Sequence, residues 1–253
     1  EGKTLEELFP NSYKDIPESL IKEFIDMYKL MREIKFDENL IGHFGENMKM
    51  LPIIGNKTPK SNYLEYIDER LKYVVNEFSK LKYCQNLAKI LENKRIDLLK
   101  RVENSKIENL NGLNFEDRFI FSHEDLNPTN IIIDPETMKL KAIIDWEWCS
   151  YTLENLDFFR LPYKDDAEID EMNDFLGEMI IKEIPDYKQS KGMKLREYFS
   201  DLVDCALWGT GFPYLDMKDE TKKDSFAREH LIKFTNFVLE KLEKWDQILD
   251  EYL

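Results

Sequence analysis

Apolar residues recur at helical spacing along most of the chain, and the period changes only in the middle. Pro17 suits the first turn of a helix, and Leu20, Phe24, Met27, Met31 and Ile34 follow at steps of four and three. Gly42, Gly45, Pro52, Gly55 and Pro59 then punctuate a loop. A second helical stripe runs through Leu64, Ile67, Leu71, Val74, Phe78 and Leu81, and a third through Leu87, Ile90, Leu91 and Leu98. Arg118 to Phe121, Ile131 to Ile133 and Leu140 to Ile144 are short β-prone runs, with Asp134-Pro135-Glu136-Thr137 as the turn between the last two. Helical stripes return with Met172, Phe175, Leu176, Met179 and Ile180, then Leu195, Phe199, Leu202, Val203 and Ala206, then Leu231, Phe234, Phe237, Val238 and Leu242. These stripes read as core faces, not cofactor contacts. No repeat and no Gly/Ser or Pro-rich linker divides the chain. The pattern therefore predicts an α+β protein, mostly α-helical, with one small β-hairpin in a single body over 1–253.

The polar residues framing that hairpin carry the chemistry. Phe121-Ser122-His123-Glu124-Asp125-Leu126-Asn127-Pro128-Thr129-Asn130 leads into the first strand, and Ile143-Ile144-Asp145-Trp146 closes the second. Asn130 immediately precedes one predicted strand and Asp145 follows the other, with their midpoint between Thr137 and Met138. An antiparallel pair folded there returns both residues to the same end. An amide oxygen and a carboxylate are hard ligands that suit magnesium held partly by phosphates. Asp125, five residues before Asn130, is placed to accept or orient the proton of an attacking hydroxyl. Any one of these residues alone would read as a turn cap. Together, in the order H-x-D-L-x-x-x-N and then Asp, they match a phosphoryl-transfer signature. His123 reads as a structural residue that holds the shape of the catalytic loop.

The stretch from Phe121 to Pro162 resembles the aminoglycoside phosphotransferase-like family, which includes choline- and homoserine-kinase relatives and shares the protein-kinase-like fold. Phe121 to Leu126 is similar to the family's F-x-H-G-D-L, Asn130 to Asp134 to its N-I-L-V-D, and Ile143 to Glu147 to its I-I-D-W-E. The resemblance implies that Asp125 is the catalytic base, that Asn130 and Asp145 hold Mg2+, and that Asp157 braces the site along with His123. It implies ATP or GTP as phosphoryl donor and a small-molecule hydroxyl as acceptor. The Asp145-Trp146 pair and the lack of D-F-G and A-P-E speak against a protein kinase. Glu147 and Trp148 either face the acceptor pocket or serve as a hydrogen-bonding brace and a core residue. Two departures stand out. Glu124 occupies the place of the family's Gly, and nothing before Pro17 forms the strand-rich lobe with its phosphate loop and lysine. The expectation is therefore a C-terminal lobe over 1–253, with its catalytic loop and metal hairpin at 121–148, whose N-terminal lobe is missing. Such a piece alone is expected to bind ATP poorly. The rival expectation is a pseudokinase-like binding or scaffold module.

Composition adds limits. Lys and Arg number 36 against 51 Asp and Glu, a formal charge of -15, which disfavours nucleic acid and anionic lipid as partners. The surplus could draw a cationic substrate, though so diffuse a charge reads first as solubility. The same holds for the acidic cluster Asp165, Asp166, Glu168, Asp170 and Glu171, a solvated helix start. Cys84, Cys149 and Cys205 are too scattered for a disulfide framework or zinc site, and a cytoplasmic, reducing setting is expected. No apolar run approaches a membrane span of roughly 20 residues. Gly2-Lys3-Thr4 and Gly209-Thr210-Gly211 are fragments of phosphate-loop motifs without their required neighbours. No G-x-S-x-G or H-E-x-x-H is present.

Overall fold

The computed structural model describes residues 2–10, 15–36, 39–44, 50–51, 57–81, 84–105, 113, 118–154, 179–180, 182–184, 191–210 and 235–253. The chain divides into two compact units. One comprises Glu1–Leu51 and Arg118–Gln189, the other Pro52–Asp117 and Ser190–Leu253.

The first unit holds helices α1 (Leu5–Leu8) and α2 (Glu18–Glu33). Its strands are β1 (Lys3–Thr4), β2 (Gly42–Phe44), β3 (Met50–Leu51), β4 (Phe119–Ser122), β5 (Ile131–Asp134), β6 (Lys139–Ile143) and β7 (Ser150–Leu153). They form two antiparallel sheets, in the orders β1-β5-β6 and β3-β2-β7-β4. The hairpin β5-β6 appears where alternation and turn residues place it. The Asp134 carboxylate accepts the N–H groups of Glu136 at 2.9 Å and Thr137 at 3.3 Å, which builds the turn and lowers the carboxyl pKa.

The remaining strands correct the reading of a helical body with a single hairpin. β2 and β3 fall in the stretch read as a loop, and β7 runs beside β4 directly after the hairpin. Strands of two to four residues are too short to show a period, and pairing partners distant in sequence decide them.

α2 begins as Pro17 suggests. Its carbonyl accepts the N–H groups of Leu20 at 2.9 Å and Ile21 at 3.1 Å. The buried face is Leu20, Ile21, Phe24, Ile25, Tyr28, Met31 and Arg32. Met27 is only half-buried, and Ile34 lies past the helix end, 39% exposed. The stripe is rotated because Tyr28 and Arg32 are buried through a partner that no hydropathy pattern reveals. The Glu154 carboxylate, just after β7, accepts from Tyr28 Oη at 2.8 Å and Arg32 Nε at 2.5 Å. This buried cluster ties α2 to the end of the β4–β7 pair.

The second unit is helical where it is described. α3 (Tyr63–Lys80) and α4 (Gln85–Asn104) pack together, and the helix Lys191–Thr210 packs on α3. Asn62 caps α3 by accepting the N–H of Glu65 at 2.9 Å. Ile67, Leu71, Val74, Phe78, Leu87, Leu91, Leu98, Leu195, Phe199, Leu202, Val203 and Ala206 are buried, as their spacing predicts. Residues 235–243 are helical too, with Val238 and Leu242 buried but Phe237 turned outward. The helix Trp245–Tyr252 docks through Trp245, whose ring meets Phe199 edge-on at 5.6 Å. Met172, Phe175, Leu176, Leu231 and Phe234 lie outside the described residues, as does the acidic cluster from Asp165 to Glu171. Among the described residues no helix is long and apolar enough to cross a membrane.

Two stability outcomes follow from this packing. Glu154→Ala takes the carboxylate from a buried guanidinium and is expected to cost roughly 3 kcal/mol, whereas Glu154→Gln, which keeps an acceptor, costs less. Leu202→Ala opens a cavity in the second unit and is expected to cost about 3 kcal/mol. Urea denaturation midpoints check both, and a loss under about 1 kcal/mol for either alanine variant would contradict the packing described.

Candidate active site

β4 and β7 pair from Phe119↔Leu153 to Ser122↔Ser150, and β5 and β6 pair from Ile131↔Ile143 to Asp134↔Lys139. One hairpin is thus nested inside another pair of strands. The chain leaves the four-stranded sheet at Ser122, crosses to the three-stranded sheet, turns, and comes back at Ser150. The outward crossing carries His123, Asp125 and Asn130. The return crossing carries Asp145, Glu147 and Trp148.

Hydrogen bonds fix the crossings against each other. The Ile144 N–H donates to the Asn130 carbonyl at 2.9 Å. The Ile144 carbonyl accepts from His123 Nε2 at 2.9 Å. Because the Asp125 N–H donates to His123 Nδ1 at 3.3 Å, that nitrogen is the acceptor and Nε2 carries the hydrogen. His123 is 1% exposed, 4.6 Å from the Trp146 ring. Phe121 stacks on the same indole at 5.6 Å. Trp146 Nε1 donates to the Ile143 carbonyl at 2.9 Å, so the indole is anchored at both its apolar and polar ends.

The buried Asn130 donates from Nδ2 to the Asp125 carbonyl at 2.9 Å and to Asp125 Oδ2 at 3.2 Å. Asn127 Nδ2 also donates to Oδ2, at 3.3 Å. Asp125 Oδ1 takes no hydrogen bond from a described residue. Pro128 opens the 3-10 turn Pro128–Asn130, and the Asn127 side chain caps it by accepting the Thr129 N–H at 3.0 Å. The five-residue step from Asp125 to Asn130 therefore matches one compact loop.

Asp145 is exposed, at φ 64 and ψ 54, with no side-chain bond to a described residue. The left-handed conformation is tolerated by a short polar side chain. Asn130 Oδ1 is likewise uncommitted, since both of that residue's side-chain bonds run through Nδ2. An uncommitted amide oxygen and carboxylate on adjacent chain segments are a donor pair that fits magnesium, which takes one or two protein oxygens and fills its remaining positions with phosphates and water. Among the described residues no group of three or more His, Cys, Asp or Glu stands together as a metal cluster.

Glu147 is exposed and Trp148 half-buried in the 3-10 turn Trp146–Trp148. The Trp148 carbonyl accepts from His43 Nδ1 at 3.0 Å, and the two rings meet edge-on at 5.8 Å. His43, on β2, carried no sequence signal. Burial pushes the Cys149 thiol pKa up, with the nearby Glu124 carboxylate adding to the shift, so Cys149 is a poor nucleophile at neutral pH. Asp157 lies outside the described residues.

Sequence reasoning also passed over what Glu124 does. Its φ is 64, a conformation that costs a residue with a Cβ about 1–2 kcal/mol. Its Oε1 accepts from Ser150 Oγ at 2.9 Å. The signal was present in the resemblance itself, since a glycine at this place in the related pattern marks a backbone that turns left-handed.

Residues 5–161 match the family model for choline/ethanolamine kinase, more than half of the 253-residue chain. No curated protein and no solved structure matches the chain. The family match ends at Leu161, so the His-x-Asp-Leu loop, Asn130 and Asp145 all fall inside it. The expected kinship with the aminoglycoside phosphotransferase-like kinases is borne out at this level, and the chain belongs to the choline/ethanolamine kinase family.

Proposed function

We propose that the protein transfers the γ-phosphoryl group of ATP or GTP to the hydroxyl of a small amino alcohol of the choline or ethanolamine kind. Membership of the family supports small-molecule kinase chemistry. The observation that carries the residue assignment is the pair of bonds made by Ile144, which hold the residue before Asp145 to Asn130 on one side and to His123 on the other.

In this reading Asp125 orients the acceptor. Two amides hold its Oδ2, and Oδ1 is left to take the hydroxyl proton. Asn130 Oδ1 and the Asp145 carboxylate hold magnesium, which supplies charge neutralisation at the transferring phosphoryl group. His123 keeps the loop and the return crossing in register. Glu147, exposed beside Asp145, offers a carboxylate to a cationic acceptor, and Trp148 offers a ring edge next to it. Positioning and electrostatics provide most of the rate, as is general for phosphoryl transfer. The scattered thiols and acidic surface suit a cytoplasmic enzyme.

The test is transfer of labelled γ-phosphate to a panel of hydroxyl metabolites by the full-length protein. Asp145→Ala is expected to lower kcat by about 100-fold or more. Asp125→Asn is expected to lower it by about 1000-fold. Chelation of magnesium is expected to stop transfer, and added magnesium to restore it. Retention of most activity by Asp145→Ala would sink the metal assignment. A wild-type protein that binds nucleotide yet phosphorylates nothing in the panel would favour a binding or scaffold module instead.

A further inference from the structure

The return crossing Asp145–Cys149 is held at both ends by consecutive residues of the outward crossing. At one end, His123 Nε2 donates to the carbonyl of Ile144, immediately before Asp145. At the other, Glu124 Oε1 accepts from Ser150 Oγ, immediately after Cys149, at 2.9 Å. Ser150 is fully buried and has its backbone in the ladder, opposite Ser122 on β4 and His43 on β2. It is a fixed anchor. Glu124 is a half-buried residue at φ 64, a conformation unfavourable for any side chain of its size.

We propose that Glu124 is a positioning residue whose side chain, by gripping Ser150, sets the Asp145–Cys149 turn against the loop that carries Asp125. The inference rests on the phosphotransferase reading for its catalytic consequence, but the tether itself is independent of that reading. The far end of the turn is already fixed by the ladder of β7, by the Phe44 N–H donating to the Cys149 carbonyl at 3.1 Å and by His43 donating to the Trp148 carbonyl at 3.0 Å. The Glu124 bond adds a tie from the residue beside Asp125 to that fixed end. The Asp125 loop is then held to the Asp145–Cys149 turn in one orientation, which matters because a displacement of about 1 Å at a reacting group costs about 100-fold in rate. The left-handed backbone at Glu124 turns the side chain toward Ser150, so the conformation and the bond belong together.

The experiment combines amide hydrogen exchange with kinetics on four variants of the full-length protein. Glu124→Ala is expected to speed exchange of the Asp125 and Ile144 amides by about tenfold or more, while the Val74 and Phe78 amides of α3 stay at their wild-type rates. Glu124→Gln, which keeps an oxygen acceptor, is expected to restore the wild-type pattern. Glu124→Gly relieves the backbone yet lacks the grip, so it should match or exceed the wild-type melting temperature while Asp125 and Ile144 still exchange faster. Should Glu124→Ala fail to fold, Ser150→Ala removes the same bond from a residue in ordinary strand geometry. In the kinase assay, Ala and Gly are expected to lower kcat by about tenfold or more with little change in the KM for nucleotide, and Gln is expected to hold it. Unchanged exchange at Asp125 and Ile144 in both Glu124→Ala and Ser150→Ala would overturn the proposal. So would faster exchange spread evenly over the chain, which marks a general loss of stability. A wild-type protein without transfer activity would sink the phosphotransferase reading alone, because the exchange rates still decide the tether.

Discussion

Ile144 places the candidate site through its main chain. Its N–H and its carbonyl each meet a residue of the outward crossing, Asn130 and His123 respectively. A residue bonded through both groups can neither slide nor rotate without breaking one of the bonds. Its side chain does none of this work, being 45% exposed. Burial therefore contributes little here, and two hydrogen bonds, each worth about 1 kcal/mol net, decide the geometry. Asp145 follows directly, and the orientation of its carboxylate is inherited from that anchoring.

The hairpin was legible because its signals are local. The polar turn at Asp134, the β-branched runs on either side and the five-residue step from Asp125 to Asn130 can all be read within about thirty residues of sequence. Symmetric folding about the turn was off by one residue. The pairing Asp134↔Lys139 centres the turn between Glu136 and Thr137, and the slip between Ile132 and Ile133 then brings Asn130 across from Ile144, so Asp145 comes one place later. The four-stranded sheet was illegible for the opposite reason. Gly42–Phe44 and Met50–Leu51 have no period to read, and they become strands because Ser150 and Tyr151, about a hundred residues away, give them a ladder to join.

Charge was legible in total and misleading in detail. An excess of acidic residues says that the surface is negative, yet the carboxylates that organise the first unit are few and have individual partners. Glu154 is buried among Tyr28 and Arg32, a place that mean hydropathy would give to an apolar residue. Replacing such a cluster with apolar groups of the same shape can be neutral or stabilising, so net stability is not the reason for it. Its geometric effect is plainer. It admits only one rotation of α2 against β7, the strand that also carries Ser150.

Backbone strain follows the same line through the unit. Four non-glycine residues among those described have positive φ, and three of them, Glu124, Met138 and Asp145, fall in the nested hairpin. One stands where the chain leaves β4, one at the turn and one where it starts back. Each is a change of direction too sharp for ordinary backbone. The cost is sustained because ladders on both sides over-determine the path, β4 with β7 and β5 with β6. Groups that must face a charged substrate cannot be positioned by burying them. They can be positioned by putting them on bends between rigid ladders, where the direction of each side chain follows from the backbone. Asp125 and Asp145 sit on two such bends, one beside Glu124 and the other itself left-handed, so the backbone path, held by the ladders on either side, sets the direction of both side chains.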